Sequence, residues 1–274
     1  MAIAGLGCFV AWHDLQSGRE ADHDHWHTHE HMIERVAIPG FLRGFRYRSV
    51  AGSPRVCTMY QVESVSTLTS PAYLERLNNP TPWSKQILPL FVGMNRTLCT
   101  VVSTHGHGIG GHLLTIQLAP IAGENDRLRG TLSERVLPEL AARRGLCGAH
   151  LLIGDQAASQ MRTQEKALRG EPDAVADWIV LTTAQRSQPP GPSLRRRYPP
   201  TVARPIWWRA STRSISHSAR TKPRRSGASR RFDLALARCV HDWPNFYRYE
   251  IFRRQTASGT DTAAAAAIIV KALM

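Results

Sequence analysis

A shift of 105 residues along this chain lays Glu34 and Gly40 onto Glu139 and Gly145, and in both places the glycine opens a hydrophobic strand after a helix. A chain built of two like units must bury each unit's apolar face against helices or against its copy, which restricts the fold more than composition does. In the first unit, residues 5–12 form an apolar run, and a helix is predicted from about Asp24 to Ala37, stopped by Pro39 and Gly40. Phe41 to Val50 and Val56 to Glu63 flank the turn residues Ala51, Gly52, Ser53 and Pro54, which is hairpin spacing. Ser70 before Pro71, and Thr81 before Pro82, place a capping hydroxyl ahead of a proline whose missing N–H is harmless in a first helical turn. The β-branched run Thr97 to Ser103 closes the unit as a strand.

The order is β-α-β-β-α-β, the ferredoxin-like arrangement, and it begins again after the glycines of residues 106–111. Leu113 to Leu118 reads as a strand. Thr131, Leu132, Ser133 and Glu134 form a capping box ahead of a helix ending near Arg144, with Gly145 after it. Leu146 to Ile153 and Asp177 to Thr183 read as strands, Phe232 to Val240 as a helix, and Asn245 to Phe252 as the last strand. The organisation read from the chain is a first repeat at 1–105, the start of a second at 106–184, an irregular basic insertion at 185–231, the end of the second repeat at 232–254, and a tail at 255–274.

The formal charge of +14 belongs to one stretch. Between Ala184 and Arg231 lie 13 of the 35 basic residues and no acidic one, leaving 22 basic against 21 acidic elsewhere. That stretch is a Pro, Ser and Arg mixture without apolar periodicity, the composition of a solvated linker. It allows nonspecific attachment to polyanions, and a locally shifted reading frame would also produce it; nucleic acid is not the expected partner. No run is long and apolar enough for a membrane span, and five widely spaced cysteines without a CxxC suit reduced thiols in the cytoplasm.

The stretch Trp26, His27, Thr28, His29, Glu30, His31, continuing through Ile38, Pro39, Gly40, Phe41 to Arg46 and Tyr47, resembles the dimeric α/β-barrel superfamily, particularly its EthD-like branch. The resemblance implies an α+β protein of two tandem repeats closed into a dimeric α/β-barrel-like pseudo-dimer, with a small hydrophobic or aromatic molecule bound between sheet and helices. It also implies a monooxygenase, isomerase or lyase type of reaction without choosing among them. A noncatalytic binder is the alternative. Neither a cofactor nor the oligomeric state is legible, and a homo-oligomer is compatible with the reading.

Five histidines alternate from His23 to His31, so on a regular helix their rings scatter around the axis. With Trp26 at zero, Met32, Ile33, Val36 and Ala37 spread over an apolar arc that includes His29 at about −60°, while His27, His31 and Glu34 fall on the opposite, solvated side. His29 is therefore the expected sheet-facing general acid or base, where desolvation brings an imidazole into a useful range. Glu30 is expected to assist it. Trp26, Phe45, Tyr47 and Tyr60 are the expected pocket walls, each equally suited to core packing.

His23 with His27, His25 with His29, and His27 with His31 have the i, i+4 spacing of paired metal ligands. No HExxH pattern is present, and no metal is assigned. Under the 105-residue shift, His27, His29 and His31 meet Leu132, Glu134 and Val136, so one site per chain is expected. Gly106, Gly108, Gly110 and Gly111 precede a strand rather than a helix and read as a flexible connection, not a phosphate cradle. Arg43 to Tyr47 partly matches the aromatic signature of RNA-recognition motifs, but on the second strand instead of the third.

Overall fold

The computed structural model describes residues 3–49 and 52–185 in full and residues 246–254 by their backbone. The expected basic insertion, apart from Gln185, the expected helix at 232–240 and the tail at 255–274 lie outside the described residues. Eight antiparallel strands form the frame: β1 (Gly7–Leu15), β2 (Phe41–Ser49), β3 (Val56–Val62), β4 (Phe91–Gly106), β5 (His112–Leu118), β6 (Leu146–Gly154), β7 (Trp178–Ala184) and β8 (Phe246–Arg254). They close in the order β1-β3-β2-β8-β5-β7-β6-β4. Each half therefore has the spatial order fourth-first-third-second. The halves join through β2 against β8 and β4 against β6. This is the ferredoxin-like dimeric α/β-barrel architecture, made within one chain, and among the described residues closure leaves no open sheet edge.

Strand alternation sorts the side chains. Cys8, Val10 and Trp12 of β1 point into the barrel with Phe45, Tyr47, Cys57, Met59, Leu113, Leu152, Ile179 and Leu181. Phe9 and Ala11 face outward under the first repeat's helices with Tyr60, Val62, Leu68 and Tyr73. The second repeat's helices cover Leu114, Ile116, Leu151, Trp178 and Val180.

Helix α1 runs through three consecutive segments, Glu20–Trp26, His27–His31 and Met32–Val36, the middle one a π turn in which Met32 N–H donates to His27 O. Helices α2 (Pro71–Asn78) and α3 (Pro82–Ile87) start where the Ser-Pro and Thr-Pro pairs place them: Ser70 Oγ accepts from Tyr73 N–H at 3.3 Å and Thr81 Oγ1 from Ser84 N–H at 3.0 Å. Helix α4 also has three segments, Asn125–Gly130, Thr131–Val136 and Leu137–Ala142, with its own π turn. The capping box expected at Thr131 to Glu134 is thus mid-helix, because the helix begins a turn and a half earlier and passes through Gly130. The 105-residue shift superimposes β2 on β6 end to end and the π turn of α1 on that of α4.

Two features differ from the simple repeat. The hairpin of the first half turns in a few residues, whereas residues 155–177 between β6 and β7 carry two short helices, α5 (Gln156–Gln160) and α6 (Gln164–Arg169). This excursion lies on the first half: Ser159 Oγ accepts from Leu98 N–H at 2.9 Å, and Arg96 N–H donates to Ala174 O at 2.9 Å. The glycine connector is not a loose tether. A Cβ on Gly106 would stand 2.3 Å from Cys147 O, and one on Gly110 would stand 2.3 Å from Ala184 O, so glycine permits a close approach at both.

Candidate functional site

Between α1 and the outer face of β1, β2 and β3 lies a layer unusually rich in buried polar rings. His23, His27 and Arg35 are buried along one stripe of α1 at i, i+4 spacing, with half-buried His31 between the last two. His13 reaches the same layer from β1, just where a bulge separates Trp12 from Asp14. Ring centroids are 5.2 Å apart for His13 and His23, 5.4 Å for His23 and His27, and 5.4 Å for His27 and His31. His13 stacks on Phe91 at 4.2 Å, and Trp26 lies 4.3 Å from His31.

His29 is not in this layer. It is exposed, as is His25, and the two rings meet each other at 4.6 Å on the outer side, with Trp83 5.3 Å from His25. Two physical causes displaced the expectation. The inward stripe of α1 is aromatic and imidazole rather than aliphatic: Ile33 is 59% exposed and Val36 38%. The π turn also adds a residue to the turn, so a uniform angular step no longer locates a side chain.

Glu30 is committed elsewhere. Its Oε1 accepts from Thr81 Oγ1 at 2.6 Å, Trp26 Nε1 at 3.1 Å and Ser84 Oγ at 3.3 Å, tying α1 to the start of α3. Trp26 is fully buried and belongs to this clamp. Phe45 and Tyr47 point into the barrel, with rings 6.3 Å apart, on the opposite face of the sheet from Tyr60. The four expected walls therefore do not enclose one pocket; the sheet divides them.

Tyr60 is in the layer, packed between Phe9 (5.4 Å) and Phe41 (5.8 Å). Its hydroxyl is buried without a hydrogen-bond partner among the described residues, as are His23 Nε2, His31 Nδ1 and Arg35 Nη1. Such orphans are costly unless something satisfies them. His27 Nε2 has a long contact of 3.4 Å to Thr58 Oγ1. Gly44 on β2 makes the floor: a Cβ there would stand 2.1 Å from Met32 Sδ and 3.1 Å from Tyr60 Cε1. Gly44→Ala is therefore expected to push Met32 aside and to cost about 1 to 3 kcal/mol of stability, read by urea denaturation.

Charge in the layer is paired. Arg35 forms an ion pair with Glu165 of α6, both buried, and lies 5.9 Å over the Tyr73 ring. Glu34 stands 4.0 Å from Arg35 and 3.9 Å from Arg76. Burial pushes the Glu34 carboxyl above its ordinary range. Burial also holds His13, His27 and His31 well below the usual imidazole value, aided by neighbouring imidazoles or guanidinium groups, and lowers His23. These rings are neutral at pH 7 and offer one donor and one acceptor each. Burial raises the Tyr60 phenol, which stays protonated. Among the described residues, no group of three or more His, Cys, Asp or Glu could hold a metal ion.

His27, His31, Arg35 and Glu165 were not expected as site residues. The i, i+4 spacing of the first two was visible as possible metal pairing; no local signal announced that Glu165, 130 residues from Arg35 in sequence, would join them.

No protein-family model matches the chain, and no curated protein does. Among solved structures, it is similar to an anthrone oxidase-like protein at 10% identity and a TM-score of 0.48, covering 93% of each chain. It is also similar to a chlorite dismutase-like protein at 10% identity and 0.46, covering 99% of this chain and all of that one. A monooxygenase-like protein from Listeria innocua follows at 5% identity and 0.39, covering 93% and 96%. The architecture itself stands on the strand order and register given above. No helix among the described residues is long and apolar enough to cross a membrane.

Proposed function

We propose that the chain is a small-molecule enzyme acting on a hydrophobic or aromatic metabolite in the layer between α1 and the first half-sheet. The observation that carries the reading is the presence in that layer of buried polar atoms with no partner among the described residues, Tyr60 Oη and His31 Nδ1 above all, each among aromatic rings. An apolar layer with a few unsatisfied polar groups is what a ligand carrying a hydroxyl or carbonyl oxygen completes. Arg35 is already balanced by Glu165, so a neutral ligand suits the site better than an anion.

In this reading Tyr60 donates its hydroxyl hydrogen to the ligand oxygen, and a neutral imidazole, His27 or His31, gives or receives the second hydrogen bond. Neutral rings polarise an oxygen without needing to gain a proton first. His29 remains outside the site, and Glu30 acts on it only by fixing α1. The 155–177 excursion closes the layer at its Arg35 end.

The test is a screen of phenols, naphthols and hydroxyquinones for oxygen uptake or spectral change, run beside a thermal-shift measurement on the same compounds. For any compound turned over, Tyr60→Phe is expected to lower kcat by about a hundredfold or more while binding persists. Turnover unchanged in that variant would defeat the enzymatic role of Tyr60. Compounds that stabilise the protein but are never turned over would instead support a noncatalytic binder.

A further inference from the structure

The barrel has a second recess, on the other face of the sheet from the histidine layer. It lies inside the barrel, measures about 290 Å³ with its open mouth included, and has an enclosed part with room for about one water molecule. Its walls are Phe45, Tyr47, Met59 and Leu181. Three uncharged polar residues line it: Gln61, His150 and Thr183. Gln61 already accepts from Ala4 N–H at 2.9 Å, and His150 Nδ1 is 2.7 Å from Thr104 Oγ1. Burial lowers His150 to about 4, so its ring is neutral at pH 7. Thr183 is 7% exposed, and its Oγ1 is buried with no partner among the described residues.

The connector between the repeats covers this recess. Gly108 and Ile109 line it. Gly106 and Gly110 press on the backbone of Cys147 and Ala184 to either side, which fixes the ends of the cover. Between them Ile109 is 46% exposed, an apolar side chain that belongs half to the recess and half to solvent.

We infer that the barrel interior holds a second small-molecule site, for a neutral single-ring aromatic alcohol, read by the Thr183 hydroxyl and closed by Ile109 on the glycine connector. The class follows from the lining. Aromatic and thioether walls favour one ring, the lack of a charged side chain among the described lining residues favours a neutral ligand, and the Thr183 hydroxyl, unsatisfied among the described residues, asks for one hydrogen-bonding group. Entry requires Ile109 to swing outward, since the enclosed space is too small for a ring while it is in place.

The experiment is a titration of the full chain with 4-fluorophenol and, separately, fluorobenzene, followed by ¹⁹F NMR. Saturable binding of 4-fluorophenol is expected. Thr183→Val, which replaces an unsatisfied hydroxyl by a methyl group and should fold, is expected to weaken 4-fluorophenol by about threefold to tenfold and to leave fluorobenzene unchanged. Thr183→Ser should restore the phenol. Tyr60→Phe, across the sheet, should leave its affinity as it was. Nonsaturable binding, equal effects of Thr183→Val on both probes, or loss of 4-fluorophenol binding in Tyr60→Phe would overturn the inference. The last result would place the probe in the histidine layer, leaving the function proposed there untouched.

Discussion

Lowering the pH from 7.5 to 5 is expected to remove most of the protein's stability, through the buried imidazoles of the α1 layer. His13, His27 and His31 are held well below their ordinary values by burial, so the folded chain keeps them neutral where the unfolded chain protonates them. Below about pH 6.5 the unfolded state therefore binds more protons, and stability falls as pH falls. Each ring that stays neutral costs about 2 kcal/mol at pH 5 relative to neutral pH. Three give up to about 6 kcal/mol, comparable to the whole stability of an ordinary domain. Lowered His23 adds to this, while Glu34, raised by burial, works in the opposite direction as a single group. Urea denaturation at pH 7.5, 6 and 5 checks it: the midpoint should fall steeply, and His27→Gln should flatten the dependence. A midpoint that does not move between 7.5 and 5 would mean the rings are not buried neutral.

The second large effect concerns the ion pair that fastens the excursion of the second repeat to α1 of the first. Arg35 and Glu165 are both buried, so removing either leaves a charge without its partner in an apolar layer. Arg35→Ala is expected to cost about 3 to 5 kcal/mol. Glu165→Ala should cost less than Arg35→Ala, because Glu34 remains 4.0 Å from the guanidinium, whereas losing Arg35 leaves buried Glu165 without its partner and Glu34 with Arg76 alone. Replacing both by Met and Leu removes the unpaired charge and should recover most of the loss. Chemical denaturation of the two single variants and the double variant measures this. Single variants within 1 kcal/mol of the parent would show that the excursion is not fastened here.

The parts of the fold that were legible are those whose signals are local. The Ser70 and Thr81 caps with their prolines marked two helices, and hairpin spacing around the turn residues at 51–54 marked β2 and β3. Gly40 and Gly145, both at positive φ (84° and 91°), punctuate the same joint of each repeat, where only glycine is unstrained. The start of α4 was placed late because Thr131 to Glu134 has the pattern of a capping box, whereas the helix already runs from Asn125 through Gly130. The two helices of residues 155–177 were missed as well, although Asp155 and Thr163 cap them through Ala158 N–H and Lys166 N–H.

The site was harder for a physical reason. A search for the aliphatic face of α1 finds Ile33 and Val36, which are exposed, while the buried face is made of imidazole, indole and guanidinium groups held by ring contacts and an ion pair. Burial of such groups depends on partners from β1, β3 and α6, of which only β1 is near in sequence.

The most direct test is the turnover of a substrate found in the aromatic screen, compared among His27→Gln, His31→Gln and His29→Gln at pH 7.5. A loss of about a hundredfold in kcat for His27→Gln or for His31→Gln, with His29→Gln like the parent, is the predicted result. A loss in His29→Gln alone, or activity like the parent's in all three, would contradict a reaction centre beneath α1.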